Sequence, residues 1–414
     1  MNRASLLLPL VLVIGCAKEA GVSAAKAVVR DSAGVAIVEN PLPPDSLEAA
    51  VDSAAVFSIG GGVGGAEYDL NEIRGAVRLS DGRVVVADNA SGELRYFDST
   101  GAYLLRGGRK GKGPGEFEQI MMLWALEGDT VLVYDIASRR LSLFGPGGVF
   151  VRQVGLAAQG FVAPAGLLDD GTIVASGFSF NPDSMPAKGT VFRNRLPALL
   201  IAPDGSSIDT MATFEGMEVY TEEVSFGGRT FPNPMQVQFG RNTTLSARGD
   251  RVFVGDNARP EISVYDRTGA LARIIRTAYT PVAVTEAHRK AQEELNLERL
   301  GEAPLRGMPK EMLDQVESWV RNAKYAEQFP SFQTFLLDRE GNIWVQEYTM
   351  PGEPLHYRVY GPGGEFILRT ALPGDVRPLD IGKDYVLGAY KDGDGLEHVR
   401  LYRTPGLSPQ ETAR

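Results

Sequence analysis

VRLSDGRVVVADNASGELRYFDSTGAYLLRGG, from Val77 to Gly108, reads as four short strands separated by turns. Asp81-Gly82 and the run from Asp98 to Gly101 supply the tight turns. VVVAD and ELRYF supply β-branched and aromatic runs between them. A four-stranded antiparallel unit of this kind cannot bury both of its faces alone. The pattern returns as LLDREGNIWVQEYTMPGEPLHYRVYGPGGEFILR, from Leu336 to Arg369. Turns joining a first to a second strand recur at Asp81-Gly82, Gly128-Asp129, Asp170-Gly171, Gly249-Asp250, Glu340-Gly341 and Lys383-Asp384. Their spacings are 47, 42, 79, 91 and 43 residues. Three of these match one propeller blade of roughly 40–45 residues. Six such sheets around an axis cover each other's faces. The expected fold is therefore all-β, a six-bladed β-propeller with a helical insertion between blades four and five.

The two long spacings hold extra residues. Ser179 to Arg195 and Glu215 to Pro234 look poorly strand-like and are expected as loops. The other excess, about 284–329, reads as helical. Thr285 is the expected N-cap, and His288 to Leu300 are good helix formers. Gly301 to Gly307 break the pattern, and Pro309 suits the first turn of a second helix. Met312, Val316, Trp319 or Val320, and Ala323 then form an apolar stripe that Pro330 ends. Trp319 is expected to pack this helix on the propeller, with a ligand-facing role as the alternative. Blade six has three strands near Val376–Ile381, Tyr385–Tyr390 and His398–Arg403. Its fourth is missing from the C-terminal end, and Ala55–Gly61 (AVFSIGG) is expected to fill the gap.

The chain has 414 residues, 43% of them hydrophobic, with a net charge of −10 and a pI near 5.1. That charge disfavours nucleic acid as a partner, because counterion displacement needs a basic surface. Arg3 and the apolar Ser5–Val13 stretch lead into Val13-Ile14-Gly15-Cys16, which resembles a bacterial lipobox. Residues 1–16 are thus expected to be a lipoprotein signal, with Cys16 the lipid attachment site. Cys16 is the only cysteine, so no disulfide forms within the chain. A lipid anchor places the protein at the bacterial cell envelope. Ala17 favours the outer membrane by resemblance to enterobacterial sorting. Residues 17–53 read as a linker carrying a hairpin, Val28–Asn40, with Gly34 at its turn. The propeller spans 54–405 and a tail 406–414.

In a meander blade, connections alternate between the two faces of the disc. Strand one to two and strand three to four are short everywhere. Strand two to three and blade to blade carry the long segments, including Gly107–Gln119 and Glu347–Pro354. Long connections carry most binding residues. The long-connection face is therefore the expected binding face. Candidates there are Glu72, Arg109, Lys112, Glu118, Gln119, Arg229, Gln238, Trp319 and Gln333. Asp88, Asp135, Asp256 and Glu347 end second strands. A ring of acids can hold a cation, but such residues more often accept backbone N–H bonds from their own loop. The glycine- and cation-rich 107–119 loop lacks the Walker spacing, so phosphate-ester turnover is not expected. His288, His356 and His398 lie on distant elements, and no catalytic residue is assigned.

SDGRVVVADNASGELRYFDSTG (Ser80–Gly101), GKGPGEF (Gly111–Phe117) and DREGNIWV (Asp338–Val345) resemble NHL-type repeats. They are more closely similar to bacterial envelope proteins described as six-bladed β-propellers. The resemblance covers roughly 54–405. Blades three and six depart from it at ASGFSF (Ala175–Phe180) and GAYKDGDG (Gly388–Gly395). It implies a fold and a binding tendency rather than a reaction. The expected function is a non-catalytic binding or scaffold propeller holding an envelope protein, peptide or glycan, with no cofactor. The alternative is a divalent-cation-dependent hydrolase. Lactonase-like propellers hold Ca²⁺ with an oxygen-ligand ring at the channel mouth, and Glu72 and Asn242 are the candidate ligands here.

The anchor is directly testable. Cys16→Ser is expected to move the protein from the membrane pellet to the soluble fraction on ultracentrifugation. Retention of the variant in the pellet would exclude Cys16 as the attachment site.

Overall fold

The computed structural model describes residues 26–44, 51–62, 64–156, 161–178, 185–226, 229–300, 309–350 and 352–404. Cys16, the Gly301–Gly307 break and the 406–414 tail lie outside the described residues. Six antiparallel four-stranded blades follow one another. Blade 1 is Ile73–Arg78, Val84–Asp88, Glu93–Phe97 and Tyr103–Gly107. Blade 2 is Ile120–Leu126, Thr130–Asp135, Arg140–Phe144 and Phe150–Gly155. Blade 3 is Phe161–Leu167, Ile173–Phe178, Val191–Ile201 and Ile208–Phe226. Blade 4 is Thr243–Arg248, Arg251–Asp256, Glu261–Asp266 and Leu271–Thr277. Blade 5 is Thr334–Leu337, Ile343–Gln346, His356–Tyr360 and Phe366–Ala371. Blade 6 is Arg377–Gly382, Tyr385–Lys391 and Glu397–Arg403, completed by Phe57–Gly60.

The second strand of blade 1 shows why the blades pack. All five residues of VVVAD are buried. Side chains alternate across a strand. Val85 and Ala87 therefore join a core with Ile120, Leu123, Val131 and Val133 of blade 2. Val84 and Val86 join another with Tyr385, Leu387, Val399 and Ile59 of blade 6. One strand thus feeds two inter-blade cores. Innermost strands of neighbouring blades touch at four junctions, including blades 3 and 4. There Gly166 pairs parallel with Ala247. A Cβ on Gly166 would lie 2.5 Å from the Ala247 carbonyl oxygen, so this approach requires glycine.

The ring closes as the missing strand demands. Phe57–Gly60 pairs antiparallel with Glu397–Arg403, with Leu401 opposite Phe57 and His398 opposite Gly60. Ile59 is wholly buried, and Val51, upstream of the expected domain start, enters the core between blades 5 and 6. The hairpin Val28–Ser32 and Val35–Asn40 adds to the outer edge of blade 4, where its second strand runs parallel to Leu271–Thr277. Ala33 and Gly34 both take positive φ, the conformation a tight two-residue hairpin turn needs.

Two expectations need correction. Ser179–Arg195 and Glu215–Pro234 are not simply loops. Val191–Arg195 and Glu215–Phe226 extend the outer strands of blade 3, and Arg229–Gln236 adds a further strand. Together they form a β-ribbon rising from the long-connection face. Its prolines, Pro232 and Pro234, sit on the edge strand, where a missing N–H is tolerated. That placement hid the strand from a composition-based reading. The second correction concerns the insert. Helix α1 spans Glu286–Arg299, and Thr285 caps it in a capping box with His288. Helix α2 spans Lys310–Arg321 and ends at Asn322. Ala323 therefore lies beyond the helix, and the chain runs on to Pro330 outside it, with Tyr325 bridged to Gln238.

Asparagines after second strands join neighbouring blades. Asn89 Oδ1 accepts the Ile120 N–H at 2.8 Å, linking blade 1 to blade 2. Asn257 Oδ1 accepts the Asn242 N–H at 2.7 Å, and its Nδ2 donates to the Phe332 carbonyl at 3.1 Å. Both asparagines are buried. On the short-turn face, Asp380 accepts from Arg78 of blade 1 at 2.8 Å and from Arg339 of blade 5 at 2.7 Å.

Ile59→Ala is expected to lower unfolding stability by about 2–5 kcal/mol in urea titrations, because it hollows the closing seam. A change within error would show that the seam is not part of the cooperative unit. Asn257→Ala should cost about 1–3 kcal/mol for each buried backbone group it leaves unpaired. An exposed substitution of the same type, Asn322→Ala, should change the urea midpoint far less.

Candidate functional site

All six first-to-second connections and the five third-to-fourth hairpins are short, none exceeding six residues. The ribbon, the helical insert and the 107–119 segment all lie on the opposite face. The ribbon and the insert are joined to one another there. Gln238 N–H donates to the Lys324 carbonyl at 2.7 Å, and Ala326 N–H returns to the Gln238 carbonyl at 3.0 Å. Lys324 Nζ reaches the Gly189 carbonyl at 2.5 Å and lies 5.3 Å over the Tyr220 ring. The end of the insert thus docks on the ribbon and on the entry to blade 4.

An aromatic platform forms at that meeting point. Phe239 packs against Phe329 at 4.9 Å, Tyr325 at 5.9 Å and Tyr348 at 6.3 Å between ring centroids. Phe329 also meets Tyr348 at 4.9 Å and His288 at 5.0 Å. None of these five rings is fully buried. Phe239 has φ of 54°, a left-handed conformation that costs a bulky residue on the order of 1–2 kcal/mol. Its ring contacts, each worth about 0.5–1.5 kcal/mol, offset that cost. Burial pushes the Tyr348 phenol above its usual range. The sequence signal was thin: Gln238 and the Glu347–Pro354 connection were singled out, but not the aromatic residues beside them.

Arginine 193 fixes the ribbon base. Its side chain is only 6% exposed. It bonds the Gly216 carbonyl at 2.9 Å, Asp256 at 3.0 Å and the Thr243 hydroxyl at 3.0 Å. It thereby ties the third and fourth strands of blade 3 to blade 4. Nearby, Glu218 is buried, which by itself would raise its pKa. Hydrogen bonds from Arg241 outweigh that and hold the carboxyl below its usual range.

The candidate residues are dispersed among these features. Glu72 Oε2 accepts from Asn89 at 2.6 Å and lies 3.7 Å from Arg74. Arg109 pairs with Glu116, and Lys112 with Glu118 at 3.3 Å, so the cationic loop is largely self-neutralised. The Gly113 N–H, followed by Arg109, holds the Glu116 carboxyl below its usual range. Glu118 and Gln119 donate backbone N–H bonds to Asp135. Gln238 accepts from Asn296 at 3.3 Å, and Gln333 accepts from Gln346 at 2.9 Å. Arg229 is exposed near the ribbon tip, and Trp319 is half-buried on α2. Asn242 is held through its backbone by Asn257. Among the described residues, the Lys112–Glu118 pair is the one bond that joins two of these candidates. Among the described residues no three His, Cys, Asp or Glu side chains gather as a metal site.

The acids that end second strands serve their own blades. Asp88 accepts from the backbone of Ala90 and Ser91 and pairs with buried Arg95 at 3.0 Å. Burial raises the Asp88 pKa, with Arg95 opposing it. Asp135 and Asp256 accept loop N–H groups in the same way. Glu347 instead pairs with Arg358 at 3.2 Å and Arg369 at 2.7 Å. Among the described residues, no helix is long and apolar enough to cross a membrane.

No curated protein matches the chain. Among solved structures, a candidate exported protein from Bacteroides fragilis is 13% identical, covering 89% of this chain and 99% of its own, with a TM-score of 0.47. A DUF4221 family member from Bacteroides vulgatus is 11% identical, covering 87% and 99%, with a TM-score of 0.49. A gluconolactonase from Xanthomonas campestris is 13% identical, covering 87% and 97%, with a TM-score of 0.38. Residues 68–159 match the family model DUF5128, described as a 6-bladed beta-propeller, and six blades are what the chain forms.

Proposed function

We propose that this protein is a non-catalytic binding propeller of the bacterial cell envelope, tethered through Cys16, that holds a protein, peptide or glycan on its long-connection face. The observation that carries this reading is the incompletely buried aromatic platform of Phe239, Tyr325, Phe329 and Tyr348. Aromatic rings that stay partly open beside polar backbone are the usual anchors of a binding surface. The joined ribbon and insert hold this one in place. The short-turn face has no comparable elaboration.

The metal-dependent alternative draws less support. Glu72 already serves Asn89 and Arg74, and Asn242 is engaged by Asn257 through its backbone. A Ca²⁺ ligand set would have to free these groups and bring several more oxygens to one point.

The test is crosslinked capture from native envelopes with the tagged full chain. Phe329→Ala with Tyr348→Ala is expected to lose the captured species while keeping a cooperative unfolding transition and the wild-type membrane fraction, although the lost ring contacts lower the melting temperature. Capture unchanged by the double variant, or lost equally with a short-turn-face variant such as Asp384→Arg, would exclude this surface.

A further inference from the structure

Between the outer strand of blade 3 and the middle strands of blade 4 lies an open cleft of about 290 Å³. Asp256 and Glu261 flank it where the blade 4 connection reaches the long-connection face, and Glu215 stands at the ribbon base. Its charges are matched within the protein. Arg193 lies 3.0 Å from Asp256 and 3.2 Å from Glu215. Arg259 lies 3.4 Å, and Arg276 2.9 Å, from Glu261. Three carboxylates thus face three guanidinium groups, and a bare cation or anion would find little net charge. Hydrogen-bonding capacity remains. Carboxylates of Glu215, Asp256 and Glu261 and the guanidinium of Arg259 line the cleft beside Thr213, Ser263 and Tyr265, whose hydroxyls make no hydrogen bond among the described residues. Tyr265 and Phe214 supply an aromatic wall, with ring centroids 5.6 Å apart. Val254 supplies an apolar floor.

Donors and acceptors in close alternation, no net charge and an aromatic wall match a polyhydroxylated ring. Its hydroxyls need both kinds of partner, and its C–H face needs an apolar one. The volume is at the lower end for a ligand pocket, roughly 300 Å³, which suits one sugar residue rather than a long chain. We infer that this cleft holds a single residue of a neutral glycan at the base of the ribbon. The inference rests on the binding-face reading above and names a ligand class for it. A basic peptide side chain is disfavoured because the carboxylates it would seek are already paired.

The probes are cellobiose, maltose and N,N′-diacetylchitobiose, titrated calorimetrically into the full chain carrying Cys16→Ser. At least one is expected to bind saturably, with an affinity that does not change between low and high salt. Ser263→Leu fills the cleft without touching a charge and should weaken binding by about tenfold or more, the loss of one good contact. Should that variant fail to fold, Tyr265→Phe and Thr213→Val, which remove only hydroxyls, read the same loss. Phe329→Ala lies outside the cleft and should leave sugar binding intact. No saturable binding by any of the three sugars overturns the inference. So does binding untouched by the folded cleft variants, or salt-sensitive binding of a lysine-rich peptide in their place. If envelope capture still depends on Phe329 and Tyr348 while sugars fail, the glycan assignment falls and the binding-face reading stands.

Discussion

Each small sheet in this protein has two apolar faces and no means of covering either by itself. Val84 to Ala87 make the constraint concrete, because alternate side chains of one strand enter different inter-blade cores. Burial at about 25 cal/mol per Å² is the dominant favourable term, and here it is collected only between blades. No blade can be removed without exposing two neighbours. The ring must therefore close, and the chain closes it by lending Phe57–Gly60 to the last blade. With one cysteine, at position 16, no disulfide reinforces the seam, so packing around Ile59 and the strand pairing must hold it.

Polar groups then fix how the blades meet. A buried backbone N–H or C=O needs a partner, and the inner ends of the blades present several. Asn89 and Asn257 satisfy them across junctions between successive blades. Asp380 does the same on the short-turn face and gathers residues of three blades. These bonds are directional where apolar packing is not, and so they set the register of one blade against the next. Several residues that seemed suited to a ligand, Glu72 and Glu118 among them, prove to sit at these junctions and to be engaged there. Position at the start of an innermost strand is a structural post as much as an exposed one.

Elaboration is confined to the other face. The short hairpins leave no material for a site on one side. On the opposite side the ribbon, the insert and the entry to blade 4 share backbone hydrogen bonds and behave as one platform. Arg193 anchors its base and the aromatic cluster caps its junction with the insert. A rigid ring thus presents an irregular surface, the usual division between scaffold and function.

Sequence alone settled what depends on local periodicity. Turn residues and strand alternation repeat with each blade, so the blade count, the missing strand and its substitute at Ala55–Gly61 were legible. The Thr285 cap was legible for the same reason, since a capping residue acts within one turn. The face bearing the long connections followed from meander geometry. What only the tertiary structure decided involves partners far apart in the chain. Phe239 meets Tyr348, and Arg193 meets Asp256, only after the blades have packed. The ribbon looked like loop because its stabilising pairings lie between segments whose own composition is mixed, and β-structure takes its energy from such cross-strand partners rather than from the strand itself.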